Sequence, residues 1–392
     1  MSDLTGVLPR RDDDALFVGR VWHAATQGPR PVLVRDGEVH DLVEVAATVS
    51  ELLERSDLVE LLRSVEGSGR WSLDDLLPGV GRRDVDHLLA PVDLQVIKAC
   101  GVTFVDSMVE RVIEERSAGD PSRATEARAA LAGILETSLS DVVPGSAEAQ
   151  RVKEVLTEQG LWSQYLEVGL GPDPEVFTKA PVLSALGTNA SIGIPAFSRW
   201  NNPEPELVLV VDSRGMPRGA TLGNDVNLRD VEGRSALLLG KAKDNNGSTA
   251  LGPLVRVFDG AAFTLDDLRH ERISLRVEGA GGYLLEGENN VARLSRPFEE
   301  LVAATHGAHH QYPDGFVLFT GTLFAPVDDR HTPGSGFTHE IGDVVSISSP
   351  LLGTLRNTVG RTEELDPWTF GIQQLLTYLQ TTREAGTRRP GS

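Results

Sequence analysis

The order in which two kinds of pattern occur narrows the possible folds most. From Glu175 onward, short apolar runs are broken by Gly, Pro, Asn and Asp, which predicts strands. The clearest lie at 206–211, 273–277, 316–320 and 344–348. Helical period falls earlier, at 45–62, 106–116, 123–139 and 147–159. Ser146 is placed as the N-cap of the last helix and Gly160 as its C-cap. Strands and helices do not alternate, which argues against a doubly wound parallel sheet. The expected class is α+β, mostly β.

Near the N-terminus, 17–21 and 31–34 read as strands, with Asp36-Gly37 as a hairpin turn. The pattern breaks at Glu66-Gly67-Ser68-Gly69, and 93–104 reads as a buried strand. At 392 residues, one large domain with a smaller companion is the natural organisation. We expect a small N-terminal α/β domain over 1–88 and a catalytic domain over 89–392. Helices at about 117–160 would be an insertion, either a lid or a structural element.

Charge and cysteine content restrict function. The net charge of -20 opposes binding to nucleic acid or to an anionic membrane surface. Neither a signal peptide nor an apolar run long enough to cross a membrane is read. The single cysteine, Cys100, lies in an apolar run and reads as a small buried side chain. One cysteine allows no internal disulfide, so a reducing, cytoplasmic compartment is expected. His309-His310 reads as surface or loop.

The strongest chemical signal is Asn202-Pro203-Glu204-Pro205-Glu206, running into Leu207-Val208-Leu209-Val210. In a strand, residues i and i+2 share a face, so Glu204 and Glu206 lie side by side. Two such carboxylates are either a solvated acidic strand end or a pair held by a cation. Pro205 suits the end or edge of a strand. Gly223-Asn224-Asp225 reads as a turn, with Asp225 either a third ligand or a turn cap. Three oxygen ligands would suit Mg²⁺ or Mn²⁺. Gly240 to Gly247 reads as a polar, basic loop that either is solvated or carries a lysine to a carboxylate substrate.

These pieces, with further ones in order, match a family. They include Lys-Ala-Lys at 241–243, Leu-Gly-Pro at 251–253, Thr-Gly-Thr at 320–322, Gly-Asp-Val-Val at 342–345 and Gly-Thr-Leu-Arg-Asn at 353–357. The chain resembles the fumarylacetoacetate hydrolase superfamily over about residues 10–380. The resemblance implies a β-roll catalytic domain, and Mg²⁺ or Mn²⁺ held by Glu204, Glu206 and Asp225. It implies Lys243 as the loop lysine, and Lys179, Arg229, Glu232 and Thr322 as substrate-binding residues. It also implies a homodimer or homotetramer.

One position departs from the hydrolase pattern. Where hydrolases of the superfamily carry a His, with a Glu three residues on, this chain has Ser107 and Glu110. A serine without a base cannot replace an imidazole near neutral pH. Ala90 to Gln95, Glu110 to Arg116, Leu161 to Leu166 and Trp200 to Glu206 are similar to a narrower branch, the 2-keto-3-deoxy-pentonate dehydratases. That branch implies a hydro-lyase converting an acid such as 2-keto-3-deoxy-D-xylonate or -arabinonate to 2-oxoglutarate semialdehyde and water, in oxidative pentose catabolism.

On the expected helix from residue 106, Ser107, Glu110 and Glu114 share a face. Glu110 is then the expected proton shuttle. Lys243 is the expected base or enolate partner, with a pKa open to lowering. Glu114 is either a second acid or an exposed helix carboxylate. The alternatives are a hydrolase or decarboxylase of a β-diketo or oxaloacetate-like acid, and an inactive metal-binding interaction protein.

Overall fold

The computed structural model describes residues 6–9, 14–35, 37–66, 69–139, 142–322, 329–331 and 336–387. The first part of the chain forms β1 (Phe17–His23), β2 (Gly28–Arg35), β3 (Glu38–Asp41), helices α1 (Val49–Leu53) and α2 (Leu58–Ser64), β4 (Trp71–Ser72), α3 (Leu73–Leu76) and β5 (His87–Leu88). Strand β6 (Val96–Gly101) leads into α4 (Val105–Ser117), α5 (Pro121–Leu139), α6 (Ala147–Glu158) and α7 (Gln164–Leu170). Next come β7 (Glu175–Ala180), β8 (Ser191–Ile194), β9 (Pro205–Val211) and β10 (Pro217–Asp225). Helices α8 (Arg229–Glu232) and α9 (Leu239–Lys243) precede β11 (Thr249–Val257), β12 (Arg272–Glu278) and β13 (Leu284–Asn290). The chain closes with α10 (Phe298–Thr305), β14 (Phe316–Phe319), β15 (Val344–Ser349), β16 (Gly353–Arg361) and α11 (Ile372–Thr387).

The strands form two mixed sheets. The larger runs β4-β3-β2-β1-β11-β10-β9-β14-β6-β7, with β5 on β1, and the smaller runs β13-β12-β15-β16-β8. The α+β, mostly β class therefore stands. Strands from residues 1–88 enter the larger sheet through β1, whose Phe17 and Val18 pair with Arg256 and Val255 of β11. Hydrogen bonding therefore crosses the division proposed near residue 88.

Strand β9 occupies the middle of this arrangement and is buried at every position. Leu207, Leu209 and Val211 face Ile273, Leu275 and Ile347 of the smaller sheet. Val208 and Val210 face the other way, into a core with Val49, Leu52 and Phe319. A strand covered on both faces reads as a continuous apolar run, which is why 207–211 lacks alternation. Strand β12, covered on one face, alternates exposed and buried residues along its length. Helices α4 to α7 have their own core, in which Met108, Val112 and Ile113 meet Ala124, Leu156, Tyr165 and Leu166.

Three local expectations are corrected. The helix expected over 45–62 is two short helices, α1 and α2, separated at Glu54–Asp57; α1 is capped by Thr48, whose side chain accepts from the Glu51 amide. Helix α6 has its N-cap at Ser146 as expected, but Gln159 is the C-cap, and Gly160 follows at φ +67°. That left-handed position after the cap suits glycine.

The third correction bears on the site. Gly223-Asn224-Asp225 is the end of β10, paired with β9 and β11, and not a turn. Glycine is needed there for room. A Cβ on Gly223 would lie 2.2 Å from Phe319 Cε1 and 2.6 Å from Val208 Cγ2. Gly223→Ala should therefore lower unfolding stability by about 1–3 kcal/mol through overpacking. Urea unfolding measures this; an unchanged midpoint would mean that the position is open, as in an exposed turn.

Candidate active site and metal centre

Two adjacent strands set the centre. Antiparallel pairing of β9 and β10 puts Gly223 opposite Glu206 and Asn224 opposite Pro205. The Asp225 amide donates to the Glu204 carbonyl at 3.1 Å, so the third carboxylate arrives beside the first two. Pro205 is the first residue of β9, where a missing ladder donor is tolerated. One ligand atom from each of Glu204, Glu206 and Asp225 lies within 4.8 Å of the others. All three residues are at most 3% exposed, which excludes the solvated strand end.

Buried carboxylates this close repel unless cations or protons intervene. Burial, then repulsion from Asp225 and Glu204, pushes Glu206 well above the usual range. Glu206 makes no ion pair among the described residues and accepts the Gly321 amide at 2.6 Å. Burial also raises Glu204 against the pull of Lys243 and Arg111. At Asp225 burial is outweighed by Lys243 and Lys179, which hold it low. Asp225 Oδ1 is buried without a hydrogen bond, 3.2 Å from Lys179 Nζ. Three buried hard oxygen donors, all within 4.8 Å of one another, fit a hard divalent cation.

Cations line the other side. Lys243 donates to Glu204 Oε2 at 2.5 Å and to Asp225 Oδ2 at 3.0 Å. It lies in the short helix α9 and is 3% exposed, so the solvated-loop reading of 240–247 fails at this residue. Burial alone would lower its pKa, but Asp225, Glu204 and Glu232 outweigh burial and raise it. Lys179, on β7, is fully buried; burial pushes it down, and it donates to the carbonyls of Lys243 and Ser248.

Helix α4 presents its polar face to this centre. Ser107, Glu110, Arg111, Glu114, Asn202, Glu204, Arg229 and Thr322 line one small cavity of about 10 Å³. Its larger neighbour, about 20 Å³, is lined by the three carboxylates with Cys100, Glu175, Phe177, Glu232 and Lys243, among others. Ser107, Arg111, Glu204 and Thr322 belong to both. The Ser107 hydroxyl donates to the Phe104 carbonyl at 2.7 Å and accepts from the Phe104 amide at 3.3 Å, the second of which helps cap α4.

An alternating chain of charges leads outward from the centre. Arg111 Nη2 donates to Glu204 Oε1 at 2.5 Å, and its Nη1 to Glu114 Oε2 at 2.6 Å. Arg111 also lies 3.1 Å from Glu232. Arg229 joins Glu114 at 2.6 Å and Glu110 at 3.3 Å, and lies over the Trp200 ring. Arg128 of α5 grips Glu110 with two bonds, at 2.8 and 2.6 Å.

The chain changes the roles expected on α4. Glu114 is not an exposed carboxylate; at 2% exposure, burial is outweighed by Arg111 and Arg229, which hold it low. It therefore stays ionised and makes a poor acid. Glu110 has both oxygens engaged by arginines. Arg229 and Glu232 sit in or beside this network, and the Thr322 hydroxyl donates to the Pro205 carbonyl at 3.1 Å.

Sequence reading missed three residues. Glu175 shares a face of β7 with Phe177 and Lys179, at i, i+2 and i+4, a spacing that was there to be used. It is partly exposed as a residue. Burial of its carboxyl, then repulsion from Glu232, pushes it up to about 7, against Arg111 and Lys243. Arg111 lies one helical turn after Ser107. Asn202 immediately precedes the Pro-Glu-Pro-Glu segment. Cys100, as expected, is a buried wall residue, and burial pushes its thiol up.

Residues 145–360 match the family described as fumarylacetoacetate (FAA) hydrolase, C-terminal. That is more than half of the chain. This chain belongs to the fumarylacetoacetate hydrolase family. It is 28% identical over 326 residues to a probable 2-keto-3-deoxyxylonate dehydratase of Haloferax volcanii, covering 83% of this chain and 93% of that one. It is 32% identical over 194 residues to a 2-dehydro-3-deoxy-D-arabinonate dehydratase of Saccharolobus solfataricus. That match spans 49% of this chain and 60% of the relative, less than two thirds of its length. Among solved structures, a 2-keto-3-deoxy-D-arabinonate dehydratase complexed with magnesium and 2,5-dioxopentanoate superposes with a TM-score of 0.62. Identity there is 22%, over 88% of this chain and 99% of that one, a likeness of fold. No helix among the described residues is long and apolar enough to cross a membrane.

A family member with this centre should bind Mn²⁺ through the three carboxylates. Calorimetric titration of chelator-treated protein should show one strong site, lost in Glu206→Ala. Arg111→Met should cost roughly 3–5 kcal/mol of stability, because it leaves Glu114, Glu204 and Glu232 without their shared cation. Unchanged Mn²⁺ binding in Glu206→Ala, or unchanged thermal unfolding of Arg111→Met, would contradict these assignments.

Proposed function

We propose that the chain is a metal-dependent dehydratase, a hydro-lyase that converts a 2-keto-3-deoxy-pentonate to 2-oxoglutarate semialdehyde and water. One observation carries the reading. The cavity beside the three carboxylates is walled by Ser107, Glu175 and Lys243, and none of its described lining residues is a histidine. The hydrolase pattern uses an imidazole to activate water; elimination supplies its own leaving group and needs only proton transfer, which a carboxylate such as Glu175 can perform. The names of the two relatives accord with this choice. The reading includes a cytoplasmic location, in keeping with one buried cysteine, and a homodimer or homotetramer.

Glu204, Glu206 and Asp225 would hold Mg²⁺ or Mn²⁺, which supplies polarisation of the 2-oxo acid group and acidifies the hydrogens on C3. Lys243, kept protonated by Asp225 and Glu204, donates a hydrogen bond to the oxygen that gains charge as C3 is deprotonated. Glu175 takes over the role expected of Glu110. As a carboxylate it accepts the C3 proton, and as an acid it gives that proton to the departing C4 hydroxyl. The C3–H and C4–O bonds break, a C3–C4 double bond forms, and one water leaves. A further shift of a proton from C5 to C3 gives the enol of the aldehyde. Lys179 braces the site by holding the Lys243 and Ser248 carbonyls.

Proton NMR of the Mg²⁺-loaded protein with stereochemically defined 2-keto-3-deoxy-pentonates should show the semialdehyde from at least one isomer. Acylpyruvates should remain intact. Semialdehyde from no isomer, or efficient acylpyruvate cleavage, would overturn the reading in favour of a hydrolase or an inactive binding protein.

Glu175→Gln keeps the shape but cannot accept a proton, so kcat should fall roughly 100-fold or more while Mn²⁺ still binds. Because Glu175 must start as a carboxylate and lies at about 7, wild-type kcat/KM should rise with pH through that value. The limb should vanish in the variant. A pH profile unchanged by Glu175→Gln would remove Glu175 from the proton path.

A further inference from the structure

The smaller cavity has a wall with one unmet requirement. Its hydroxyl donors are committed: Ser107 donates to the Phe104 carbonyl and Thr322 to the Pro205 carbonyl. Its charges are cross-linked, with Glu110, Glu114 and Glu204 set against Arg111 and Arg229. Among the residues of this wall, Asn202 Oδ1 is the buried side-chain atom that lacks a hydrogen-bond partner. Asn202 is 2% exposed.

The orientation of the amide is fixed by its neighbour. Asn202 Nδ2 lies 2.9 Å from the Pro203 carbonyl. A carbonyl can only accept, so the group facing it must be the NH₂, and the orphan is the oxygen. The Asn202 backbone is held by paired bonds with Asn227, both 3.1 Å. An unpaired oxygen in so rigid a setting calls for a donor from elsewhere.

We infer that the smaller cavity is the subsite for the terminal C5 hydroxyl of the substrate, and that the Asn202 side-chain carbonyl accepts its hydrogen bond. The substrate class rests on the dehydratase reading; the presence of a hydroxyl-reading subsite does not. The wall's charges are already paired, Glu110 by Arg128 and Arg229, Glu114 by Arg111 and Arg229, and Glu204 by Arg111 and Lys243, so its cations are engaged and the place suits a neutral hydroxyl better than a carboxylate. The acidic end of the molecule belongs in the larger cavity beside Lys243. Glu204, Ser107, Arg111 and Thr322 border both cavities, so an extended five-carbon acid passes from one to the other across them. Asn202 then becomes the residue that distinguishes a hydroxylated C5 from a methyl group. A site that hydrogen-bonds a hydroxyl rejects the analogue lacking it, because its own polar atom is left unpaired.

The test uses two acids without a C4 hydroxyl, 5-hydroxy-2-oxopentanoate and 2-oxopentanoate, so neither can be dehydrated. Calorimetry with Mn²⁺-loaded full-length protein should show about 10- to 100-fold preference for the hydroxylated acid in the wild type. In Asn202→Ala and Asn202→Leu the preference should shrink to roughly threefold or less. Each ratio is taken within one protein sample, so partial misfolding of a variant cancels. The fraction of the hydroxy acid that cyclises in solution cancels between wild type and variant. No preference in the wild type, or a preference kept in both variants, overturns the inference. Discrimination without semialdehyde formation from any pentonate would sink the dehydratase reading and leave the subsite intact.

Discussion

Three carboxylates buried within 4.8 Å of one another are the constraint that the surrounding structure answers. Each must be neutralised or protonated, and the chain supplies both means. Lys179, Lys243 and Arg111 converge on Asp225 and Glu204 from three different elements. Glu206 has no ion-pair partner among the described residues and accepts a backbone amide, and burial with repulsion from Asp225 and Glu204 pushes its carboxyl well above the usual range. Concentrating negative charge in this way is costly for an apo fold and suits a site built to accept a cation.

Precision comes from where the ligands are mounted. Glu206 and Asp225 lie in adjacent central strands, and the strand carrying Glu206 is covered on both faces. Close packing leaves such a strand little freedom to shift. Gly223 allows Phe319 to press against β10 next to the ligands. The same apolar burial that stabilises the fold therefore holds the carboxylates in register.

Helix α4 connects this centre to the helical layer. Its apolar face packs against α5 to α7, while Arg111 and Glu114 on its polar face continue the charge pattern of the metal ligands. The ion pairs are largely buried, so their worth lies in fixing geometry more than in net stability. They hold Glu204 in one orientation and divide the cavity in two. Division into a part beside the three carboxylates and Lys243 and a part whose charges are paired off matches a substrate with one acidic end and one hydroxylated end.

Periodicity and local spacing determined much of this protein without tertiary knowledge. The separation of helical from strand-rich segments carried the fold class, and Glu204 and Glu206 at i, i+2 carried most of the metal centre, since both follow from backbone geometry. The ordered motifs carried the family. Tertiary structure decided what those residues can do. Glu110 and Glu114 share a helix face that sequence exposes, yet Arg128, Arg229 and Arg111, which engage them, come partly from distant elements. Glu175 lies 29 residues before Glu204 in the sequence, and only folding brings its carboxyl to the same cavity. The direction of the Lys243 shift likewise depends on Asp225 and Glu204 outweighing burial. Charge state and hydrogen-bond satisfaction are sums over neighbours in space, and the sequence specifies those neighbours only once the sheets have closed.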